Sequence, residues 1–83
     1  MPASQFSDPY KAFIAALVAA RDDAGVSQKE VAERMGNGWD QPLVSKVERC
    51  VRRLDVVEFA SFARAMGYEP GALYTRIIRK VTR

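Results

Sequence analysis

Two short segments decide the fold of this chain: residues 26–36 read VSQKEVAERMG, and residues 41–49 read QPLVSKVER. In the first segment, Ser27 and Glu30 have the spacing of a capping box, in which each side chain satisfies a backbone N–H group of the other residue at the start of a helix. Gly36 then ends this helix, because glycine readily adopts the backbone conformations that follow a helix. Two short helices joined by a glycine-containing turn form a helix-turn-helix, a motif of DNA-binding proteins. The same spacing also occurs at the corners of helical bundles that have no nucleic-acid role.

The helix signals continue on both sides of these segments, and no run shows the two-residue alternation of a strand. Asp8 and Pro9 suit the start of a first helix, since aspartate caps helices well and proline lacks only an N–H group that would be unpaired there. A second capping box, Asp55 with Glu58, starts a fourth helix. We therefore predict a single all-α domain over residues 1–83, with five helices at about 9–24, 27–35, 41–50, 55–66 and 70–80.

The composition excludes several classes of protein. The 83 residues are 48% hydrophobic and 28% charged, which is typical of one small globular domain and not of a disordered chain. One cysteine and no histidine exclude an internal disulfide framework, a thiolate zinc cluster and the usual catalytic triads. We expect no metal, no cofactor and no enzymatic activity. No apolar run is long enough to span a membrane and the N-terminus lacks the pattern of a secretory signal, so we expect a cytoplasmic protein.

The charge is distributed unevenly along the chain. The net charge is +3, but residues 1–40 carry −2 and residues 41–83 carry +5. A basic half of this kind points weakly to a polyanionic partner. A solvated surface with a basic tail fits the same distribution, so charge alone leaves a nucleic-acid partner open.

The order of residues in the two segments resembles the lambda-repressor/Cro-type helix-turn-helix family, also called XRE-like. The pattern S-Q-x-x-x-A-x-x-x-G begins at Ser27 and the pattern V-S-K-V-E at Val44; together they are specific, whereas each alone is weak. Residues 53–67 also look like the fourth helix of that family, so the resemblance covers Phe13 to Leu73. It implies a five-helix, lambda-repressor-like DNA-binding domain that acts as a homodimer on a two-fold symmetric operator and inserts its third helix into the major groove of double-stranded DNA. It also implies a transcriptional regulator, and we expect a repressor.

The resemblance places the DNA-contacting residues at the start of the second helix, along the third helix and directly after it. Gln41 would open the third helix, where a glutamine side chain can form two hydrogen bonds with adenine. In this family a glutamine at the position of Gln28 contacts a phosphate and can brace the first glutamine of the third helix, although Gln28 also fits a solvated residue of a first helical turn. The candidate DNA-binding residues are Gln28, Gln41, Pro42, Leu43, Ser45, Lys46, Arg49, Arg52 and Arg53.

The candidates beyond the helix start also have simpler interpretations. Ser45 and Lys46 would contact a base or a phosphate one turn further along the third helix. Arg49, Arg52 and Arg53 would form a basic cluster suited to phosphates. Lys46 and Arg49 equally fit ordinary exposed helix charges, and Arg52 and Arg53 fit a solvated basic turn.

Two charged residues, Arg21 and Glu48, fall on the apolar faces of the first and third helices, four residues after Leu17 and Val44. A lone buried charge is costly, so we expect the two to pair. The family resemblance implies an arginine–glutamate bridge at these positions as well. We assign this salt bridge a structural role rather than a contact with DNA.

The turn before the third helix departs from the family pattern, because residues 36–42 look two residues longer than usual. The register of the third helix is therefore open. Gln41 opens the helix in one register, whereas in another it is a loop residue and Leu43 or Ser45 is the first residue in the groove.

Trp39 and Cys50 flank the third helix and each has two interpretations. Trp39 fits a cap on the core better than an insertion toward DNA. Cys50 stands where the family often has glycine, so either the third helix continues through residue 51 or the turn differs there. We favour a small packing residue over a redox switch for Cys50.

Apolar residues outside the predicted core stripes indicate how the chain meets a partner. Ile14, Val18, Tyr74 and Ile78 could form a homodimer interface, most simply through the fifth helix. The alternative function is an antitoxin-like interaction module that binds a partner protein and binds DNA secondarily. The sequence does not separate these two functions.

Overall fold

A computed structural model describes residues 6–81 of the chain. These residues contain five helices. They are α1 Asp8–Ala24, α2 Gln28–Met35, α3 Gln41–Glu48, α4 Val56–Ala65 and α5 Pro70–Val81, and no strand occurs within those residues. The prediction of an all-α, five-helix fold is confirmed. None of the helices in residues 6–81 has the length and apolar character needed to cross a membrane.

The starts of α2 and α4 follow the two predicted capping boxes. The Ser27 hydroxyl accepts a hydrogen bond from the N–H of Glu30 at 3.0 Å, and the Asp55 carboxylate accepts one from the N–H of Glu58 at 2.7 Å. Each glutamate carboxylate in turn accepts from the N–H of its cap residue. Since the cap residues lie just outside the helices, α2 and α4 begin one residue after the predicted bounds.

The first helix, α1, begins one residue earlier than the sequence pattern predicts. Ser7 is its cap, because its hydroxyl accepts from the N–H of Tyr10 at 3.2 Å. Asp8 therefore lies in the first turn, where a carboxylate interacts favourably with the helix dipole. At the other end, Gly25 takes a left-handed conformation with φ 71° and stops the helix.

The core lies among all five helices. α2 packs against α3 and α4, α1 packs against α3 and α5, and α4 packs against α5. Leu17, Val31, Val44, Phe62 and Leu73, one from each helix, are each at most 2% exposed. Their removal from water is the main stabilising contribution to a domain of this size.

The buried face of α1 is wider than the predicted stripe. Ile14 is 1% exposed and belongs to the core, so its assignment to a homodimer interface is wrong. Because α1 contacts both α3 and α5, it needs apolar residues on two adjacent lines, and Ile14 supplies the second line beside Leu17. Val18 is half-buried, whereas Tyr74 is 48% exposed.

A left-handed turn and a cap fix the start of α3. Asn37 and Gly38 have φ values of 51° and 82°. Asp40 then caps α3 by accepting a hydrogen bond from the N–H of Leu43 at 2.9 Å. Gln41 is therefore the first residue of α3, although the turn before it is long.

The end of α3 lies at Glu48, two residues before the predicted end. Cys50 has φ 59°, in the left-handed region where a non-glycine residue is strained by about 1–2 kcal/mol. The N–H groups of Val51 and Arg52 both donate to the carbonyl of Lys46, at 2.8 and 3.1 Å, so the chain reverses over the last turn of the helix. The helix therefore does not continue through residue 51, and the expectation that cysteine avoids the backbone conformation of glycine here is wrong, because Cys50 adopts it.

Candidate nucleic-acid interface

Four polar side chains form a continuous hydrogen-bonded network from the core to the start of α3. Arg21 of α1 donates two hydrogen bonds to Glu48 of α3, from Nε to Oε2 at 2.6 Å and from Nη2 to Oε1 at 2.9 Å. Gln28, the first residue of α2, donates from Nε2 to Oε1 of Glu48 at 2.8 Å. Gln41, the first residue of α3, donates from Nε2 to Oε1 of Gln28 at 2.6 Å. The structure thus joins the predicted ion pair and the predicted brace on Gln41 in one network.

The inner end of the network is shielded from water. The side chains of Arg21 and Glu48 are 13% and 6% exposed. Arg21 also donates from Nη1 to the carbonyl of Val26 at 2.9 Å. Hydrogen bonding to Glu48 raises the pKa of Arg21, against the lowering effect of burial, so the guanidinium remains charged.

The network also has a direction. An ionised carboxylate contains only acceptor atoms, so Glu48 requires Gln28 to present its NH2 group. The amide oxygen of Gln28 therefore faces Gln41, which must present its own NH2 group in return. The amide oxygen of Gln41 and the second hydrogen of its Nε2 are left for a partner outside the network, and Gln41 is exposed to solvent.

The outer face of α3 carries the other candidates. Pro42 and Lys46 are exposed, whereas Leu43 and Ser45 are half-buried. The hydroxyl of Ser45 accepts a hydrogen bond from Nε of Arg49 at 3.1 Å. Pro42 has no N–H and the N–H of Leu43 is bound to the helix cap, so neither of these two residues offers a backbone donor to a phosphate.

The two arginines that follow α3 are held by contacts within the chain. The guanidinium of Arg53 lies over the rings of Phe6 and Tyr10, at 4.7 and 4.9 Å from their centroids. Arg52 donates from Nη1 and Nη2 to the two carboxylate oxygens of Glu58, at 2.7 and 2.9 Å. Both guanidinium groups therefore have contacts within the chain, while Arg53 stays exposed and the Arg52 side chain is 36% exposed, as a solvated basic turn would be.

The chain is similar to a solved structure of an XRE-family like protein from Pseudomonas syringae pv. tomato str. DC3000. The two sequences are 43% identical, the match covers 90% of this chain and 88% of the other, and the TM-score is 0.77. The chain belongs to the XRE-like family. No protein-family model matches it, and no curated protein does. The resemblance seen in the two helix-turn-helix segments is thereby confirmed.

In this XRE-like chain, Trp39 is half-buried and packs against the edge of the core. The Cζ atom of Arg52 lies 5.0 Å from the centroid of the Trp39 ring. These contacts favour the core-capping interpretation of Trp39. Cys50, which packs against the core as a half-buried free thiol, fits the interpretation as a small packing residue.

The contact between Arg52 and Glu58 was not expected from the sequence. The spacing of Glu58 from Asp55 predicts a capping box, and that role says nothing about a second partner for the same carboxylate. The two residues are six apart across a turn, so no helical spacing rule connects them. Only the packing of the turn after α3 against the start of α4 brings them together.

An open apolar groove of about 440 Å³ lies on another face of the XRE-like chain. It is lined by Tyr10, Phe13, Leu54, Val56, Phe59, Ala60, Pro70, Gly71 and Tyr74. Val56, which lines the groove, and the next residue Val57 lie in the first turn of α4 and are 83% and 73% exposed. The apolar periodicity of the sequence does not predict that these two valines are exposed, because only the packing of α4 against its neighbours shows that its first turn is uncovered.

Proposed function

We propose that this XRE-like chain is a sequence-specific regulator of transcription, a repressor, which binds double-stranded DNA as a homodimer and inserts α3 into the major groove. The observation that carries the proposal is the orientation of Gln41 by Gln28 and Glu48. A side chain that distinguishes base edges needs a donor and an acceptor at defined positions. The network supplies both before DNA is bound, which limits the entropy lost on binding.

The chemistry of Gln41 matches adenine. Its amide oxygen can accept from the adenine N6 group while the second hydrogen of Nε2 donates to adenine N7. Rotation of the amide by 180° would break the hydrogen bond to Gln28. At guanine the same edge offers two acceptors, N7 and O6, and the amide oxygen of Gln41 would face one of them. We therefore expect Gln41 to select adenine over guanine.

The remaining candidates on α3 extend the contact surface. The exposed Lys46 side chain can reach a guanine edge or a phosphate one turn beyond Gln41. Arg49, which the Ser45 hydroxyl holds by its Nε, can bind a phosphate with its terminal nitrogens. Pro42 and Leu43 can contact the methyl group of thymine.

The homodimer is supported by the apolar surface beside the groove. Val56, Val57 and Tyr74 are 83%, 73% and 48% exposed, and exposed apolar patches mark interaction sites. A two-fold dimer would place two copies of α3 on the half-sites of a symmetric operator. We assign the protein no catalytic activity and place it in the cytoplasm with the nucleoid.

Selection of binding duplexes from a random double-stranded DNA library tests this function. The wild-type chain should enrich one sequence, and its affinity for that duplex should fall steeply as salt rises, because bound cations are released from phosphates. Gln41→Ala should lose the preference for adenine at one position, worth roughly 1–3 kcal/mol, whereas Thr75→Ala on the exposed side of α5 should keep it. Enrichment of no sequence, or an unchanged preference in Gln41→Ala, would contradict the proposal.

The apolar groove supports a second candidate function, an antitoxin-like module that restrains a partner protein and binds DNA secondarily. This function predicts that the product of an adjacent toxin-like gene forms a stoichiometric complex with the chain. It also predicts that Val56→Lys, which places a charge in the groove, breaks this complex. If the chain enriches a duplex and forms no such complex, the antitoxin-like function is rejected and the repressor function is retained.

A further inference from the structure

We propose that Arg52 is a positioning residue for α3 and does not bind a phosphate. It connects Trp39, which precedes the cap of α3, to Glu58 of α4, and its own backbone N–H is bonded to the last turn of α3. We use the name clamp for the set of three side chains Trp39, Arg52 and Glu58. The inference rests on the proposed DNA binding, because the clamp acts on the helix that would enter the groove.

The guanidinium of Arg52 forms hydrogen bonds along one edge and packs with one face against Trp39. Nη1 donates to Oε1 of Glu58 at 2.7 Å and to the carbonyl of Arg53 at 3.1 Å, and Nη2 donates to Oε2 of Glu58 at 2.9 Å. The ring of Trp39 lies 5.0 Å from Cζ. A guanidinium with both terminal nitrogens on one carboxylate has a fixed plane, and a stacked tryptophan fixes it further.

The clamp spans the two ends of α3. Trp39 comes directly before Asp40, the cap of the helix, and Arg52 follows the reversal of the chain at Cys50. The backbone N–H of Arg52 donates to the carbonyl of Lys46, in the last turn of the helix. The side-chain contact between Trp39 and Arg52 therefore restrains the start of α3 relative to its end.

The clamp is anchored on α4 through Glu58. Its Oε1 accepts from the N–H of Asp55 at 3.0 Å, and its own N–H is bonded to the Asp55 carboxylate. The hydrogen bonds from Arg52 lower the pKa of Glu58, with a further contribution from the Asp55 N–H. An ionised Glu58 is therefore a counter-charge, paired with Arg52 through both carboxylate oxygens, that weakens the attraction of Arg52 for a phosphate.

The variant Glu58→Gln separates positioning from phosphate binding. Glutamine still serves as the third residue of a capping box, so the start of α4 is kept while the counter-charge of Arg52 is lost. Glu30→Gln is the matched control, because Glu30 holds the other capping box and its ion pair with Arg34 is longer, 3.7 Å, and half-exposed. The probes are the duplex enriched by the wild-type chain and a scrambled duplex of equal length.

We expect Glu58→Gln to bind the enriched duplex about three- to tenfold more weakly than the wild type, with no loss on the scrambled duplex. Glu30→Gln should bind both duplexes as the wild type does. If Arg52 were instead a phosphate contact held back by Glu58, Glu58→Gln would bind both duplexes more tightly, with a salt dependence steeper by about one phosphate contact. That result would overturn the inference.

Arg52→Lys and hydrogen exchange provide a second test. Lysine keeps the charge but cannot form the two-pronged hydrogen bonds, so it should lose as much specific affinity as Glu58→Gln, whereas a phosphate contact would tolerate it. Amide exchange at Val51 and in α3 should become severalfold faster in both variants, with exchange in the centre of α1 unchanged. If the wild type enriches no duplex, the proposed function and this inference fail together. If it enriches one that both variants bind normally, only this inference fails.

Discussion

Replacement of Glu48 by alanine tests the hydrogen-bonded network at its buried end. The carboxylate accepts two hydrogen bonds from Arg21 and one from Gln28. Its removal leaves a guanidinium that is only 13% exposed with the exposed Asp22 carboxylate, 3.6 Å from Nη1, as its remaining counter-charge. Breaking a buried ion pair from one side costs about 3–5 kcal/mol. Arg21 keeps its hydrogen bond to the carbonyl of Val26 and some contact with water, so we expect a loss of about 2–4 kcal/mol here.

This loss is large enough to measure simply. In a domain of this size about 1 kcal/mol corresponds to a shift of 4–8 °C in Tm, so Glu48→Ala should lower Tm by roughly 8–32 °C. Thermal and urea unfolding followed by circular dichroism provide the measurement. Glu33→Ala, on the exposed side of α2, is the control and should change stability by no more than about 0.5 kcal/mol. A loss below about 1 kcal/mol in Glu48→Ala would refute the reasoning, because the pair would then contribute no more than an exposed one.

Further predictions concern the other members of the network, the end of α3 and the clamp. Arg21→Met combined with Glu48→Leu should recover most of the stability lost in Glu48→Ala, because apolar residues avoid the desolvation cost of the pair. The same double variant should still bind the enriched duplex as weakly as Gln41→Ala, and recovery of both properties would argue against orientation by the carboxylate. Gln41→Glu should bind that duplex more weakly than Gln41→Ala, since its carboxylate would face the amide oxygen of Gln28; equal affinities in a titration would speak against the assigned direction. Cys50→Gly should have a free energy of unfolding about 0.5–1 kcal/mol higher than that of Cys50→Ala, because glycine relieves the left-handed strain. The reverse order in urea unfolding would show that the strain is absent. The pKa of Glu58 is lowered in the folded chain, so the ionised carboxylate stabilises the fold fully above the usual carboxyl pKa of about 4.3, and this stabilisation is lost as pH falls through the lowered value. The difference in Tm between the wild type and Glu58→Gln should therefore shrink as the pH is lowered through this range. A difference in Tm that stays constant with pH would contradict the prediction.

Features set by neighbouring residues were the ones that the sequence predicted well. The capping boxes at Ser27 and Asp55 depend on residues three apart, and both occur in the structure. The pairing of Arg21 with Glu48 was expected because each charge falls on an apolar face and a lone buried charge is costly. The family resemblance supplied the brace of Gln28, which spacing alone does not indicate.

Features set by the packing of whole helices were missed. The burial of Ile14 depends on α1 lying against two helices at once, and a single stripe of apolar residues does not show this. The bond between Arg52 and Glu58 depends on the reversal of the chain at Cys50. A cysteine with positive φ has no sequence signal, because the local rule predicts glycine there.

The direction of the hydrogen bonds between Glu48 and Gln41 limits how this protein can change its target during evolution. A replacement at position 41 that keeps the network has to donate to the amide oxygen of Gln28, so the long donors lysine and arginine are compatible with it while aspartate and glutamate oppose it. Aspartate and glutamate are the side chains that accept from cytosine, so under the proposed function a change to cytosine recognition at this position would require a change at Gln28 as well. In the proposed function, the salt bridge between Arg21 and Glu48 thus restricts which operators the chain can reach by single substitutions at position 41.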